Sequence, residues 1–283
     1  MSCRFATSSL RGAGPFAWLL AAVLVASPAA AQTPDASSTP PPQPAEVELN
    51  LINLPTTRSL DRHQSYFRLT HRFARDLRRG SFGSLAEDLF SLDSGAIIGL
   101  EYRFGITDNL QAGVHRSILS RTIEVFARYD GWRQSDTLPV SLSLLGAVEG
   151  LDNMTEHHQP TIAATISRAF GTRLVLYTTP AFVWNTAAAD FGEGVTAEDN
   201  TLLLGLGGRL RLRPSVFVTG EFTPRLAGYD PNAATWGVAL EKKTGGHTLQ
   251  INFTNSFGTT FGQLARLGSE HDVYLGFNVT RLF

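Results

Sequence analysis

The chain has almost no cysteine and almost no lysine. Its one cysteine, Cys3, lies near the N-terminus, and Lys242 and Lys243 are its only lysines. The rest of the chain has no thiol, which excludes disulfides, covalently attached c-type haem, thiolate-bound iron–sulfur clusters and zinc–cysteine sites. Any metal would have to be held by histidine and carboxylate side chains alone. We predict no cofactor.

The chain also lacks an excess of charge and a long apolar run outside its N-terminal region. Lys+Arg number 24 against Asp+Glu 25, for a formal net charge of −1. This balance predicts no nucleic-acid partner. Beyond the N-terminal region, no stretch reaches the roughly 18 mostly apolar residues that a membrane-spanning helix needs. The sequence therefore excludes a helical membrane protein.

The N-terminus has the layout of a secretory signal peptide. Arg4 and Arg11 precede an apolar run from Phe16 to Ala26, and small residues follow up to Ala31, which predicts cleavage after Ala31. We predict a signal peptide over 1–31, a Pro-rich periplasmic leader over 32–62 and a barrel over 63–283. Proline and serine over 33–44 are typical of an extended linker. Residues 46–61 allow two alternatives, a short periplasmic strand or a segment lying against the barrel mouth.

From His63 onward, apolar and polar side chains alternate in short segments separated by turn residues, which is the pattern of β-strands. The last strand alternates up to Phe283, like the final strand of an outer-membrane barrel with its terminal aromatic residue. The predicted strands are 63–73, 95–104, 109–118, 121–129, 138–149, 159–170, 172–184, 201–213, 215–226, 235–243, 247–257 and 271–283.

The connections between these strands alternate in length. Tight turns include 105–108, Gly171, Pro214 and 245–246, whereas 74–94, 187–200 and 258–270 are long. Tight turns at one end and long loops at the other are typical of a transmembrane antiparallel up-and-down β-barrel. We predict about twelve strands in the outer membrane of a Gram-negative-type bacterium, with both termini periplasmic. A soluble sandwich is the alternative fold, and the segment 85–90 is predicted as a short helix that either constricts the mouth or caps it.

Several strands pair an apolar face with a charged one. The charged residues assigned to the lumen are Glu101, Arg103, Glu124, Arg128, Arg209, Arg211, Arg213, Glu221 and Glu241. A turn at Pro214 would place Thr219 opposite Arg209 and Glu221 diagonal to it. The glycines over 205–208 predict a close approach or a bend in the wall.

Four residues do not fit a regular barrel strand. Pro180 and Pro224 fall inside strands and lack the N–H of the ladder, so each is predicted at a bulge or near a rim. Arg168 and Arg281 lie on apolar faces. Arginines there reach lipid phosphates if they are near a rim, but at mid-bilayer each would cost roughly 2 to 4 kcal/mol.

The segments 105–110, 115–117, 244–250, 255–256 and 275–283 carry a family resemblance. In them the chain resembles an uncharacterised family of bacterial membrane-bound β-barrel domain proteins, from about Leu54 to Phe283. The resemblance implies an outer-membrane barrel and no known activity, so it assigns no functional residue. Phe283 is similar to the signal read by the barrel assembly machinery, although Arg281 departs from the usual pattern.

Function is only weakly indicated. We expect a passive pore for small solutes or ions, and keep as an alternative a non-conducting barrel that docks partner proteins. A barrel enzyme acting on lipid ranks below both, because no serine–histidine spacing around His71, His115 or His247 singles itself out. His157 and His158 could bind a metal, but adjacent residues on a loop rarely face one ion. We predict no catalytic residue, no metal site and no enzyme activity. The other expected partner is outer-membrane lipid.

Overall fold

The structure is a computed structural model, and it describes residues 46–187 and 200–283. The predicted signal peptide, its cleavage site, the leader up to residue 45 and most of the predicted loop after Val183 lie outside the described residues. No helix in the described ranges is long and apolar enough to cross a membrane.

Thirteen strands, two short α-helices and two 3-10 turns make up the described chain. The strands are β1 Ser65–Phe73, β2 Ala96–Gly105, β3 Leu110–Ser117, β4 Ile123–Trp132, β5 Ser141–Leu151, β6 Glu156–Phe170, β7 Leu174–Val183, β8 Thr201–Arg213, β9 Val216–Thr223, β10 Arg225–Gly228, β11 Thr235–Thr244, β12 His247–Thr254 and β13 Tyr274–Leu282. The helices are α1 Phe82–Glu87 and α2 Phe261–Arg266, and the 3-10 turns are Leu89–Ser91 and Leu119–Arg121.

Twelve of the strands form a closed antiparallel ring, which confirms the predicted fold. Each pairs with its sequence neighbour from β1 to β9, then β9 pairs with β11, and β13 pairs with β1. The short β10 lies outside the ring order and pairs with β8. Leucine, isoleucine and valine side chains that alternate with the inward residues remain exposed on the outer face, among them Val125, Leu144, Leu240 and Ile251. Because a closed ring has no unpaired edge, its backbone polar groups are satisfied even in lipid.

The two irregular prolines lie where the ladder is interrupted. Pro224 separates β9 from β10, and the register shifts directly after it. Pro180 lies in β7, at a gap in the pairing with β6 between Ala163 and Ile166. Arg168 and Arg281 lie near the tight turns, where each guanidinium stacks on a neighbouring phenylalanine, Phe170 or Phe283. Both arginines are exposed on the outer face, as expected near a rim.

The helix of the first long loop is exposed and does not enter the lumen. All six residues of α1 are at least partly exposed. Arg75 Nη1 donates to Asp88 Oδ2 at 2.8 Å and Ser94 Oγ donates to the same oxygen, and these hydrogen bonds lower the pKa of Asp88. The helix predicted at 85–90 therefore exists, slightly earlier in the chain.

The last long loop differs from the expectation of an exposed loop. Its helix α2 has every residue buried, and it packs against β6 and β7. Thr260 caps the start of the helix, and its hydroxyl accepts from Gln263 N at 3.3 Å. The reason for its burial is that Phe261, Leu264 and Ala265 join the apolar cluster inside the ring. Gly262, which loop length alone would place at the cell surface, is buried.

Candidate functional site

Residues 46–60 fill the inside of the ring, and we refer to them as the plug. Sequence reasoning allowed a strand or a segment at the mouth, but nearly every residue over 47–57 is buried. The plug enters at the tight-turn end, reverses direction over 51–54 and returns to β1. A bridge between Asn50 and Pro55 closes the reversal, and Leu51 N donates to Leu54 O at 2.8 Å.

The plug contacts strands on every side of the ring, which places it at the centre of the lumen. Its wall partners include Arg68 of β1, Arg103 of β2, Ser167 of β6, Tyr177 of β7, Arg209 of β8, Glu221 of β9, Gln250 of β12 and Asn278 of β13. A twelve-stranded ring is wider than the eight-stranded barrels that side chains alone fill. The plug occupies that extra space.

Glu221 holds the tip of the plug. Its carboxylate accepts from three consecutive backbone amides, those of Ile52 at 3.0 Å, Asn53 at 2.9 Å and Leu54 at 3.0 Å, and from Asn53 Nδ2 at 2.8 Å. Successive amides of a turn form a concave site for an anion. Here the anion is a side chain of the wall. Glu221 lies diagonal to Arg209 in the strand register, as predicted, but its hydrogen-bond partners are on the plug.

Arginines hold the plug from the other direction. Five wall guanidinium groups donate to plug oxygens: Arg68 to Ile52 O, Arg72 to Asn53 Oδ1, Arg103 to Asn50 Oδ1, Arg128 to Arg58 O and Arg209 to Asn50 O. Most of these arginines also pair with a wall carboxylate, such as Arg209 Nε with Glu241 Oε2 at 2.8 Å. Thr219 lies opposite Arg209, as the turn at Pro214 predicted.

The inner faces of β6–β8 carry an apolar cluster among polar side chains, and we name this cluster the apolar wall. It comprises Ala163, Val175, Tyr177, Ala181, Val183 and Leu203, which form one cluster with Leu51 and Leu54 of the plug. Opposite it, the inner faces of β1–β4 form the charged wall, with Arg68, Arg72, Glu101, Arg103, Glu124, Arg128 and Asp130 buried. The plug therefore separates two unlike surfaces.

Three inward glycines make room for the plug. A Cβ at Gly205 would lie 2.8 Å from Leu54 Cδ2, one at Gly237 would lie 2.9 Å from Ile52 Cδ1, and one at Gly207 would overlap Leu51 Cδ1. Side chains there would displace the leucines and the isoleucine. The close approach predicted from the glycines over 205–208 is thus an approach of the plug to the wall.

The nine charged residues predicted to line the lumen have three different environments. Glu101, Arg103, Glu124, Arg128, Arg209, Glu221 and Glu241 are buried within the ring. Arg211 is half-buried and stacks over Phe217, and Arg213 is exposed at the rim. The three arginines of β8 therefore do not form one cluster of free charge, because Arg209 is paired with Glu241. Whether any of the nine lines a conducting path stays a prediction.

A small polar cavity lies between the plug and α2. It measures about 30 Å³, and Asn50, Arg68, Glu124, Thr259 and Leu264 are among its lining residues. Glu124 makes no hydrogen bond or ion pair with any described residue, whereas Glu149, opposite it on the neighbouring strand, pairs with Arg266 of α2, whose Nη2 lies 3.6 Å from Glu149 Oε1. A cavity of this size holds one or two waters.

Histidines do not assemble a catalytic or metal site in the described ranges. His71 stacks on Phe277, His115 Nε2 lies 3.4 Å from the Thr259 hydroxyl, and His158 Nε2 lies 3.0 Å from Met154 O. No serine hydroxyl there bonds a histidine ring. Within the same ranges, no three His, Cys, Asp or Glu side chains are grouped to hold a metal ion.

Sequence signals for the plug existed but were weak. Residues 46–51 alternate glutamate or asparagine with valine or leucine, and β7 is apolar on both faces, as a strand covered on both sides is. Neither pattern indicates that residues 46–51 pack against β7.

Comparison with known proteins supports the barrel. The family model described as membrane bound beta barrel domain (DUF5777) matches residues 48–283, which includes most of the plug. No curated protein matches the chain in sequence.

Solved structures of similar shape are outer-membrane barrels. A KdgM porin in complex with disordered oligogalacturonate has a TM-score of 0.51 at 10% identity, covering 78% of this chain and 99% of that one. An outer membrane channel from Pseudomonas putida F1 has a TM-score of 0.50 at 12% identity, covering 80% and 98%. A NanC porin has a TM-score of 0.50 at 10% identity, covering 77% and 98%. At these identities the likeness concerns the fold.

Proposed function

Because the chain belongs to the membrane bound beta barrel domain family (DUF5777), we propose that it is an outer-membrane channel held closed by its own plug. The proposal rests on the fit between the plug and the wall. The wall has glycines opposite Leu51, Ile52 and Leu54, so it has space for these side chains of the plug. This proposal refines the passive pore expected from the sequence by adding a gate.

The contacts of the plug favour the closed state strongly. Leu49, Leu51, Ile52 and Leu54 are each at most 2% exposed. Burying a leucine or isoleucine contributes about 1.5 to 3 kcal/mol, so these four contribute on the order of 6 to 12 kcal/mol. Even 6 kcal/mol corresponds to about one open molecule in 10⁴. Opening therefore requires a ligand, a partner protein or a force applied to the part of the leader that precedes Glu46.

We propose a small anionic solute as cargo. Withdrawal of the plug would remove the oxygen partners of Arg68, Arg72, Arg103, Arg128 and Arg209, whereas Glu221 is the wall carboxylate that would lose a comparable set of donors. Glu48 would also leave with the plug. The opened lumen would thus present unpaired guanidinium donors in a narrow path, which favours anions.

A reversible cross-link tests the gate. Leu51→Cys with Gly207→Cys, in a Cys3→Ser background, brings two thiols together because a Cβ at position 207 meets the Leu51 side chain. In planar bilayers, the oxidised protein should be silent at every voltage. Reduction should restore brief, rare, anion-selective openings. Each single cysteine variant, given the same reductant, is the matched control.

Two outcomes would contradict the gate. Equal conductance of the oxidised and reduced proteins would mean that ions bypass the plug. Absence of conductance in the reduced protein and in plug-weakening variants would favour the second candidate, a non-conducting docking barrel. That candidate is supported by the same sealed lumen.

We also propose that the tight-turn end faces the periplasm, with both termini there. A cysteine introduced at Glu270, whose side chain is 76% exposed, should react with an impermeant maleimide on intact cells, and one at Gly245 should not. Gly262, in the same long loop, would not serve as the surface site because it is buried. Labelling at Gly245 alone would invert the orientation.

A further inference from the structure

A second cavity lies at the tight-turn end, where the plug enters the ring. It measures about 540 Å³ and is bordered by both limbs of the plug and by the turns after β6 and β8. Five of its described lining residues are cationic: Arg58, Arg173, Arg211, Arg213 and Lys243. We name this cavity the basic vestibule. Its volume is within the range of sites that bind small organic molecules, about 300 to 1,000 Å³.

The charge of the basic vestibule is poorly balanced by the described residues. Glu46 is the one acidic residue among its described lining residues. Its Oε1 is already engaged, because it accepts from Thr57 N at 3.1 Å, Thr57 Oγ1 at 2.6 Å and Tyr177 OH at 3.3 Å. Among the described lining residues, five cations therefore face one carboxylate. A concave site with charge of one sign concentrates ions of the opposite sign.

Three of the cationic side chains have no partner among the described residues. Arg173, Arg213 and Lys243 form no side-chain hydrogen bond and no ion pair there, although Lys243 is half-buried. The leader could supply little compensation, since Asp35 is the one acidic residue over 32–45. A solvated rim would account for one exposed arginine. It does not account for five cations facing one cavity of this volume.

The cations belong to two parts that move apart if the plug opens. Arg58 is on the outgoing limb of the plug, and its guanidinium donates to Val47 O of the incoming limb. Arg173, Arg211, Arg213 and Lys243 are on the wall, at the ends of β7, β8 and β11. An anion with two separated charged groups could contact both parts, and guanidinium groups bind phosphate or carboxylate through paired hydrogen bonds.

We infer that the basic vestibule binds an anion carrying at least two phosphate or carboxylate groups, and that this anion fastens the plug to the wall. A ligand stabilises the state that it binds more tightly, so the bound anion favours the closed barrel. The closing effect rests on the proposed gated channel, whereas the binding does not. The anion could be soluble or a lipid headgroup, since both have the same chemistry.

Calorimetric titration of the detergent-solubilised full chain with inorganic pyrophosphate tests the binding. Pyrophosphate should bind saturably and more tightly than orthophosphate, and its affinity should fall with ionic strength. Arg213→Gln with Lys243→Gln should weaken binding by roughly 10- to 100-fold, as loss of two charge-assisted contacts predicts. Arg78→Gln with Arg79→Gln, the same charge change on the first long loop, should leave the affinity unchanged.

Absence of saturable binding, or equal loss in both double variants, would overturn the inference. Equal affinity for chloride and pyrophosphate would overturn it as well. Such a result would mean that anions only screen the positive charges and do not occupy a specific site. Repeating the titration in vesicles with and without phosphatidylglycerol distinguishes the sources. Competition by this lipid supports a headgroup as the natural occupant, and unchanged affinity supports a soluble anion.

A separate readout tests the fastening of the plug without conductance. Ile52 is fully buried, so in Ile52→Cys the thiol reacts with a maleimide only when the plug moves. Pyrophosphate should slow this reaction at least tenfold in the parent protein and have no effect when Arg213 and Lys243 are also replaced. Binding without slowing would overturn the fastening alone. Slowing without conductance would retain the vestibule and contradict the channel.

Discussion

The apolar wall and the charged wall hold the same plug by different chemistry. The apolar wall accepts Leu51 and Leu54 into space left by Gly205 and Gly207, with no polar partner required. The charged wall instead binds backbone and amide oxygens near Asn50 and Ile52 through Arg68 and Arg103. Apolar burial is non-directional, whereas a hydrogen bond to a buried charge depends on position. One wall therefore contributes most of the affinity for the plug, and the other determines its register.

A single new carboxylate on the plug should have the largest effect. Its cost in stability should be high where it faces the apolar wall and low where it faces the charged wall. Leu54→Asp would place an unpaired charge against the apolar wall and cost about 3 to 5 kcal/mol. Asn50→Asp, the matched control, would face Arg103 of the charged wall and cost little. Limited trypsin digestion should cleave rapidly after Arg58 in the first variant only. Equal protection of both would mean that the walls do not differ.

Filling the glycine groove should have the next largest effect. Gly207→Leu would occupy the space of Leu51 and destabilise the closed barrel by about 1 to 3 kcal/mol. Adding Leu51→Ala to this variant should recover part of the loss, because the two changes share one space. Urea unfolding of the single and double variants measures the coupling.

Gly220→Leu is the control for the groove. Gly220 is on β9 next to the inward Glu221, so its side chain would point outward, where the nearest atom is 3.9 Å from a Cβ. It should be almost neutral. If the free-energy effects of Gly207→Leu and Leu51→Ala were strictly additive, the two positions would not be in direct contact.

Two buried glutamates should give effects of opposite sign, that of Glu221→Gln comparable to Gly207→Leu and that of Glu124→Gln smaller than either. Glu221→Gln removes a charge that accepts four hydrogen bonds from the plug, and should destabilise by about 1.5 to 3 kcal/mol. Glu124→Gln removes a charge that has no partner in the described ranges, and should be neutral or stabilising. Thermal unfolding at pH 7 in detergent compares them. The reverse order would mean that Glu124 has a partner and that the amides do not depend on Glu221.

Much of the barrel could be predicted from local pattern. Alternation located all twelve ring strands to within a few residues, since a strand between lipid and lumen repeats every two residues. The short turns at Gly171, Pro214 and Gly245 were recognisable for the same reason, because turn chemistry is local. Pro224 was correctly expected at an interruption, since a missing N–H breaks the ladder wherever it occurs. The burial of Gly262 could not be predicted, because loop length does not report whether a loop folds inward.

The sequence by itself determined the closed sheet, the face that each strand turns inward and the absence of thiol chemistry. These depend on the identity of a residue and its immediate neighbours. Only the tertiary structure decided that residues 46–60 lie within the ring, that Glu221 binds their amides and that Arg209 pairs with Glu241. Glu221 and Ile52 are separated by 169 positions in the chain, and alternation has the same period for a wet lumen and a filled one. The physical reason is that facing inward is a local property of a strand, whereas the occupant of the lumen depends on closure of the whole ring around it.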